Sequence, residues 1–310
     1  MFGIIFIVKR VFKLRLNNKG LAVSGIIYSI LILFLILIFG ILGILGSRKM
    51  ILDKLKNDVL EQLNQSNEGP SSASFALDSW ETIAEMVRTG KALEVYNVGD
   101  TKEVTVDGYT NGDETTFTVR IANMSTPEQC NNDVFSQTAC GFVIEFEDII
   151  TTHNMNSTST NVGGWPGSKM YSFVNNDIYN ALPSDLRNVI IDTYTVSGHG
   201  YSESSNFTSI DKLYLLSTKE VWGKEGTSNT IGNDKAEAET RQLDYYKNNG
   251  VTTSNYSIAI KTYQGSAYRW WLRSANSGGS NFFYNVNTSG DWEYYGATTT
   301  NGVAPAFRIG

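Results

Sequence analysis

Residues 21–46, LAVSGIIYSILILFLILIFGILGILG, carry no charged side chain over 26 consecutive positions. As a helix this run reaches about 39 Å, against roughly 30 Å for the hydrocarbon core of a bilayer. A buried helix of that length, apolar on every face, would be unusual in a soluble domain. The apolar region of a cleaved secretory signal is shorter, about 7–15 residues. The run is therefore expected to form a single transmembrane helix. Gly40, Gly43 and Gly46 would give it a flat face for close packing.

Five basic residues precede the run (Lys9, Arg10, Lys13, Arg15, Lys19) and four follow it closely (Arg48, Lys49, Lys54, Lys56). The positive-inside bias is slight. The Ser/Thr/Asn/Gly-rich remainder tips the orientation toward N-terminus inside. That places a single-pass chain in the cell membrane, in contact with lipid, with an extracellular ectodomain. Residues 1–20 are then a basic cytoplasmic leader and 47–66 an amphipathic stalk, with Leu52, Leu55, Val59 and Leu63 at helical spacing. Residues 67–74 read as a linker, 75–150 as a small α+β subdomain and 151–310 as a second domain.

Charge is uneven. Residues 1–66 hold nine Lys/Arg and three Asp/Glu, which leaves 67–310 with 16 basic and 28 acidic residues, a net charge of −12. Such a surface repels phosphate backbones, so nucleic acid is excluded as a partner of this part. The two cysteines, Cys130 and Cys140, lie in the polar segment STPEQCNNDVFSQTACGF. On an extracytoplasmic side they are expected to form a local disulfide, the alternative being two free thiols. A closed zinc site needs about four ligands. His153 and His199 have no spacing relation to the cysteines, so neither metal nor cofactor is expected.

Beyond residue 75 the text is mixed. ALDSWETIAEMVRTGK predicts one helix, capped by Asp78 or Ser79 and ending near Gly90. LEVYNV, KEVTVDGY and TTFTVRIAN, bounded by turn pairs, predict a small antiparallel sheet over 91–124. GFVIEFEDII predicts a buried strand. KMYSFVNNDIYNALPSDLRNVIIDT predicts two helices, the second started by Pro183. DKLYLLSTKEVWG reads as a strand and turn, and RQLDYYKNNG as a helix closed by Gly250. The tail from 266 onward reads as short strands.

Two resemblances follow from particular residues. Residues 17–39, NNKGLAVSGIIYSILILFLILIF, resemble the type IV prepilin N-terminus, a basic leader ending in Lys-Gly before an apolar helix. The resemblance implies processing between Gly20 and Leu21 and assembly with itself or other pilin-like subunits. Pilins usually carry Glu at the fifth mature position, which here is Gly25, a departure from the pattern that orders pilus assembly. A plain signal-anchor accounts for the same residues.

KLYLLSTKEVWG, YRWWLRSA, the closing GVAPAFRIG and the upstream GGWPGSKMYSFVNNDIYNALPSDLRNVI resemble, together, an uncharacterised bacterial domain family ending in a WLRS…GVxPAFRI pattern. The layout is more distantly similar to the C-type-lectin-like fold, whose members bind sugars or proteins through a variable terminal region. The calcium-dependent sugar motif of that fold is absent, as are the catalytic cysteines of its sulfatase-modifying members. The fold class expected is thus α+β, with one N-terminal transmembrane helix and a C-type-lectin-like ectodomain.

The binding candidate is NSGGSNFFYNVNTSGDWEYYGATTTN, residues 276–301. Tyr284, Trp292, Tyr294 and Tyr295 would supply rigid aromatic area, and Asn281 and Asn301 adaptable hydrogen bonds. Two hairpins with alternating aromatics explain the same text while exposing only half of them. In RWWLRS, strand alternation sets Trp271 and Arg273 on one face and Trp270 and Leu272 on the other, as core with a buried Arg tied to the tail. Glu145, Glu147 and Asp148 are the only carboxylates offering a hydrolytic reading, and an exposed strand face explains them more simply. No Ser-His-Asp, Cys-His or phosphate-loop motif is present, so no enzyme is expected. The expectation is a surface recognition or adhesion protein binding a protein or glycan, or alternatively a pilin-like structural subunit.

Overall fold

The structure, a computed structural model, describes residues 31–35, 54, 74–113, 115–223, 231–236 and 239–310. It divides into two compact units, Met1–Gly69 and Pro70–Gly310. In the first, only 31–35 and Lys54 are described, both helical and exposed. No helix among the described residues is long and apolar enough to cross a membrane. The expected single-pass anchor and the cell-membrane localisation with an extracellular ectodomain are corrected on that finding. The rest of 21–46, the leader 1–20, the Gly20/Leu21 processing point, the stalk apart from Lys54, and linker residues 67–73 lie outside the described residues.

The second unit opens with α1 (Trp80–Arg88), whose N-cap is Ser79: its side chain accepts from the Thr82 amide at 3.1 Å. Trp80, Ile83, Ala84 and Met86 line the buried stripe. The segment LEVYNV, expected as a strand, instead holds the short helix α2 (Ala92–Val95). β1 (Thr101–Thr105), β2 (Thr116–Asn123) and β3 (Val143–Phe146) then form an antiparallel sheet. Its fourth strand is β13 (Ala306–Arg308), from the other end of the chain, with Phe307 opposite Ile144. The expected boundary near residue 150 is therefore spanned by a sheet, and one hydrophobic core runs from Phe75 to Ile309.

A second sheet has the order β11 (Trp292–Gly296), β10 (Phe282–Val286), β9 (Trp270–Ala275), β12 (Thr300–Val303), β4 (Thr151–Asn154). Its β9–β12 pair is parallel, through Gly302 and Trp270, and the other pairs are antiparallel. Two hairpins stand apart: β5 (Thr193–Ser197) with β6 (Phe207–Asp211), and β7 (Lys261–Tyr263) with β8 (Ser266–Tyr268). The expected pair of helices after 168 is present. The first is α3 (Lys169–Ser172), a π-helical turn Phe173–Ile178, and α4 (Tyr179–Ala181); the second is α5 (Ser184–Val189). The strand expected in DKLYLLSTKEVWG gives way to a short helix, α6 (Thr218–Val221). RQLDYYKNNG contains α7 (Asp244–Asn248), followed by Gly250 at φ +67°, a value that favours glycine. The expected anchor with a C-type-lectin-like ectodomain is thus replaced by a mixed α+β unit, mostly β, made of several small sheets.

Candidate functional site

Two buried charge clusters organise the unit. α6 starts with a capping box: the Ser217 hydroxyl accepts from the Glu220 amide at 3.3 Å, and Glu220 Oε2 accepts from the Ser217 amide at 2.9 Å. The same carboxylate takes a bidentate pair from Arg273 on β9, at 2.5 and 2.6 Å, with both side chains fully buried. Thr138 and Thr240 also donate to Glu220 Oε1, the latter at 2.8 Å. Arg273 spends its remaining donors on the carbonyls of Leu215 (2.8 Å) and Val196 (3.3 Å) and on the Thr138 hydroxyl (3.1 Å). Burial pushes the Glu220 carboxyl up, but Arg273 and the surrounding donors outweigh it and hold it below the usual range. The expected buried arginine is there, tied to α6 and the disulfide loop rather than to the tail.

The second cluster centres on Glu145 of β3. Arg120 of β2 donates to its Oε1 at 3.0 Å; Lys261 of β7 and the Tyr246 hydroxyl reach Oε2 at 3.1 and 2.9 Å. Lys261 also donates to the carbonyls of Phe146 and Glu147, at 2.6 and 2.9 Å. One carboxylate here serves two cations. Burial, with help from the Arg120 charge, pulls Lys261 down to about 8 against the attraction of Glu145. Glu145 is held low: burial raises it, but Arg120 and Lys261 together prevail. Glu145 is therefore not on an exposed strand face, and it is sealed from any substrate. Asp148 accepts from the Thr262 amide at 2.5 Å. His153 stacks on Phe173 with ring centroids 4.2 Å apart. His199 is bonded to its neighbour, with Nδ1 2.7 Å from the Gly200 carbonyl oxygen.

The expected binding residues separate in the structure. Tyr284 is fully buried, with its hydroxyl accepting from the Asn233 amide at 2.6 Å, and Asn301 is 3% exposed. Neither can touch a macromolecule, because the β10–β11 hairpin turns Tyr284 inward and β12 is an interior strand. Both are corrected to core residues. Tyr294 is 47% exposed, while Trp292 and Tyr295 are half-buried. Tyr294 faces Tyr284 across the hairpin in register and leans on Phe282, ring centroids 5.2 Å apart. Asn281 is half-buried and donates to the Ser159 hydroxyl at 2.9 Å. On the opposite face of the hairpin, Arg269 pairs with Glu293 at 3.0 Å and lies over the Tyr295 ring at 5.1 Å. β11 is the sheet's outer strand, so this aromatic and charged strip sits at an edge.

Cys130 and Cys140 form a disulfide. Among the described residues no group of three or more His, Cys, Asp or Glu is placed to hold a metal ion. The reading of the sequence did not anticipate Glu220, Thr138, Arg120 or Lys261. A signal for the first was present in Ser217-Thr218-Lys219-Glu220, which has capping-box spacing.

No curated protein and no solved structure matches the chain. Neither prepilin-like nor lectin-like kinship is supported by any match. One family model does match, over residues 142–310, from Phe142 just before β3 to the last residue of the chain. It takes in α6, β9 and the closing GVAPAF stretch, on which the sequence resemblance rested. More than half of the chain is covered, and the protein belongs to the family described as domain of unknown function DUF6273.

Proposed function

We propose that the protein is a recognition module that binds a glycan or protein through the β10–β11 hairpin, with Tyr294 at the centre of the contact. The observation that supports this is the contrast along one strand pair. Tyr284 is fully buried, yet its register partner Tyr294 keeps 47% of its surface free. A ring whose position is fixed by Tyr284 and Phe282 loses little conformational entropy when a ligand stacks on it. Asn281 at one end of the hairpin adds a polar contact beside the aromatic centre. Such a centre with a polar rim is how recognition surfaces are generally built.

The test is binding of the full chain to immobilised polysaccharides and immobilised proteins, followed by repetition with Tyr294→Ala. A glycan ligand and a protein ligand separate by which panel responds. Binding that Tyr294→Ala leaves unchanged would sink the assignment.

A further inference from the structure

The disulfide closes a loop that supplies part of the buried charge cluster. Cys130 and Cys140 bracket 131–139, which contains the 3-10 helix Gln137–Ala139. From this loop Thr138 donates to Glu220 Oε1 and accepts from Arg273 at 3.1 Å, and its carbonyl accepts from the Tyr214 hydroxyl at 3.0 Å. Ser136 binds on both sides, giving its amide to the Glu239 carbonyl (2.7 Å) and accepting from the Val196 amide (3.0 Å). Ala139 accepts from Arg241 at 2.8 Å. The loop is thus a polar plug for the Glu220–Arg273 pair, and the disulfide holds the plug in place.

The two cysteines are not equivalent. Cys140 has no exposed surface, while Cys130 keeps 9% and lines an open cleft of about 230 Å³. The cleft is walled by Phe135, Tyr194, Gln137, Asn131, Asn132 and Asp133. Asp133 is the one charged side chain of that wall.

We infer that Cys130 is an entry point for thiol–disulfide exchange, and that the exchange loosens the fold by withdrawing Thr138 from the Glu220–Arg273 pair. The co-reactant is a small neutral or cationic thiol. Its thiolate enters the cleft and attacks Cys130 Sγ, forming a new S–S bond as the Cys130–Cys140 bond breaks. Cys140 leaves with the bonding pair and takes a proton from solvent as the loop opens. A second thiol attacks the mixed disulfide, frees Cys130 and carries off the oxidised reductant, so two electrons pass to the protein. Asp133 disfavours an anionic thiol in the cleft. Without the cross-link the loop gains conformational freedom, and the buried ion pair loses one of its partners.

The test uses full-length oxidised protein, treated with cysteamine or with glutathione and then with iodoacetamide, followed by peptide mapping and hydrogen exchange. Expected is a cysteamine disulfide on Cys130 with carbamidomethyl on Cys140, in at least tenfold excess over the reverse. Glutathione should react more slowly once its thiolate fraction is allowed for. Amide exchange in Thr218–Val221 and Trp270–Ala275 should become at least tenfold faster on reduction. Thr138→Val, with the disulfide intact, should speed exchange in the same two segments. An adduct mainly on Cys140, equal labelling, or no adduct overturns the entry point. Unchanged protection of both segments after full reduction, or in Thr138→Val, overturns the coupling.

Discussion

Arg273 and Glu220, 53 positions apart in the chain, meet as a fully buried bidentate pair at 2.5 and 2.6 Å. The pair joins the WLRS strand to the STKEVW turn, so two of the stretches that carry the family pattern are halves of one interaction. Their chemistry is architectural: every oxygen of the carboxylate is occupied by protein donors, and no face is open to a ligand.

Removing one partner leaves the other charge buried and uncompensated. Glu220→Ala is expected to destabilise the fold by about 3–5 kcal/mol, read from urea unfolding. Arg273→Lys should also be costly, because a single ammonium cannot reproduce the planar fork. A loss below about 1 kcal/mol for either would show that the pair is dispensable.

The Glu145 cluster makes a pH signature. Lys261 titrates at about 8 in the folded chain, against 10.5 ordinarily. Between those values the unfolded chain holds a proton that the folded chain has released, so stability rises with pH, at up to about 1.4 kcal/mol per unit. Below about 7 both states are protonated and the term is a constant penalty. The stability of the wild type relative to Lys261→Met should therefore climb between pH 8 and 10.5 and level off below about 7. Glu145 acts at the other end: its lowered carboxyl contributes stability that is lost as the pH falls through its folded value.

How much of this was legible varies with the range of the forces involved. The Ser79 cap, the TFTVRIAN strand and the Gly250 stop are local, and the sequence carried each of them. LEVYNV alternates like a strand yet winds into α2, with Ala92 and Tyr96 packing into the core. KLYLL is apolar enough for a strand, but the Ser217–Glu220 capping box starts α6 directly after it. Which tyrosines face outward depended on the inward turn of the β10–β11 hairpin, and alternation alone could not assign it. Ser217 aside, the side-chain partners of Glu145 and Glu220 lie 20 to 116 positions away in the chain, and no spacing rule reaches that far. The longest apolar run, which dominated the reading of the sequence, produced the expectation that had to be corrected.

Tyr284 and Tyr294 should differ in what their loss does. Tyr284→Ala empties a fully buried site and is expected to cost about 3–5 kcal/mol. Tyr284→Phe strands the Asn233 amide and should cost about 1–3 kcal/mol. Tyr294→Ala should cost less than about 1 kcal/mol, since nearly half of the residue is already in water. Denaturation curves of the three variants check the ordering.

Gly290 combines φ +92° with close approach: a Cβ there would lie 2.2 Å from the Tyr256 carbonyl oxygen. Its own carbonyl accepts from Trp222 Nε1 at 3.2 Å. Gly290→Ala is expected to lower stability by at least about 1 kcal/mol through backbone strain and to disturb the Trp222 contact. Thermal unfolding followed by tryptophan fluorescence would report both.

The recognition surface is tested most directly by equilibrium binding of full-length wild type, Tyr294→Ala and Tyr201→Ala to whichever polysaccharide or protein the wild type retains. Tyr201 is the comparison aromatic, 64% exposed and carried on the loop between β5 and β6 rather than on the β10–β11 hairpin. The expected result is at least tenfold weaker binding for Tyr294→Ala, with Tyr201→Ala unchanged. Equal affinities for wild type and Tyr294→Ala, or a loss confined to Tyr201→Ala, would contradict the account.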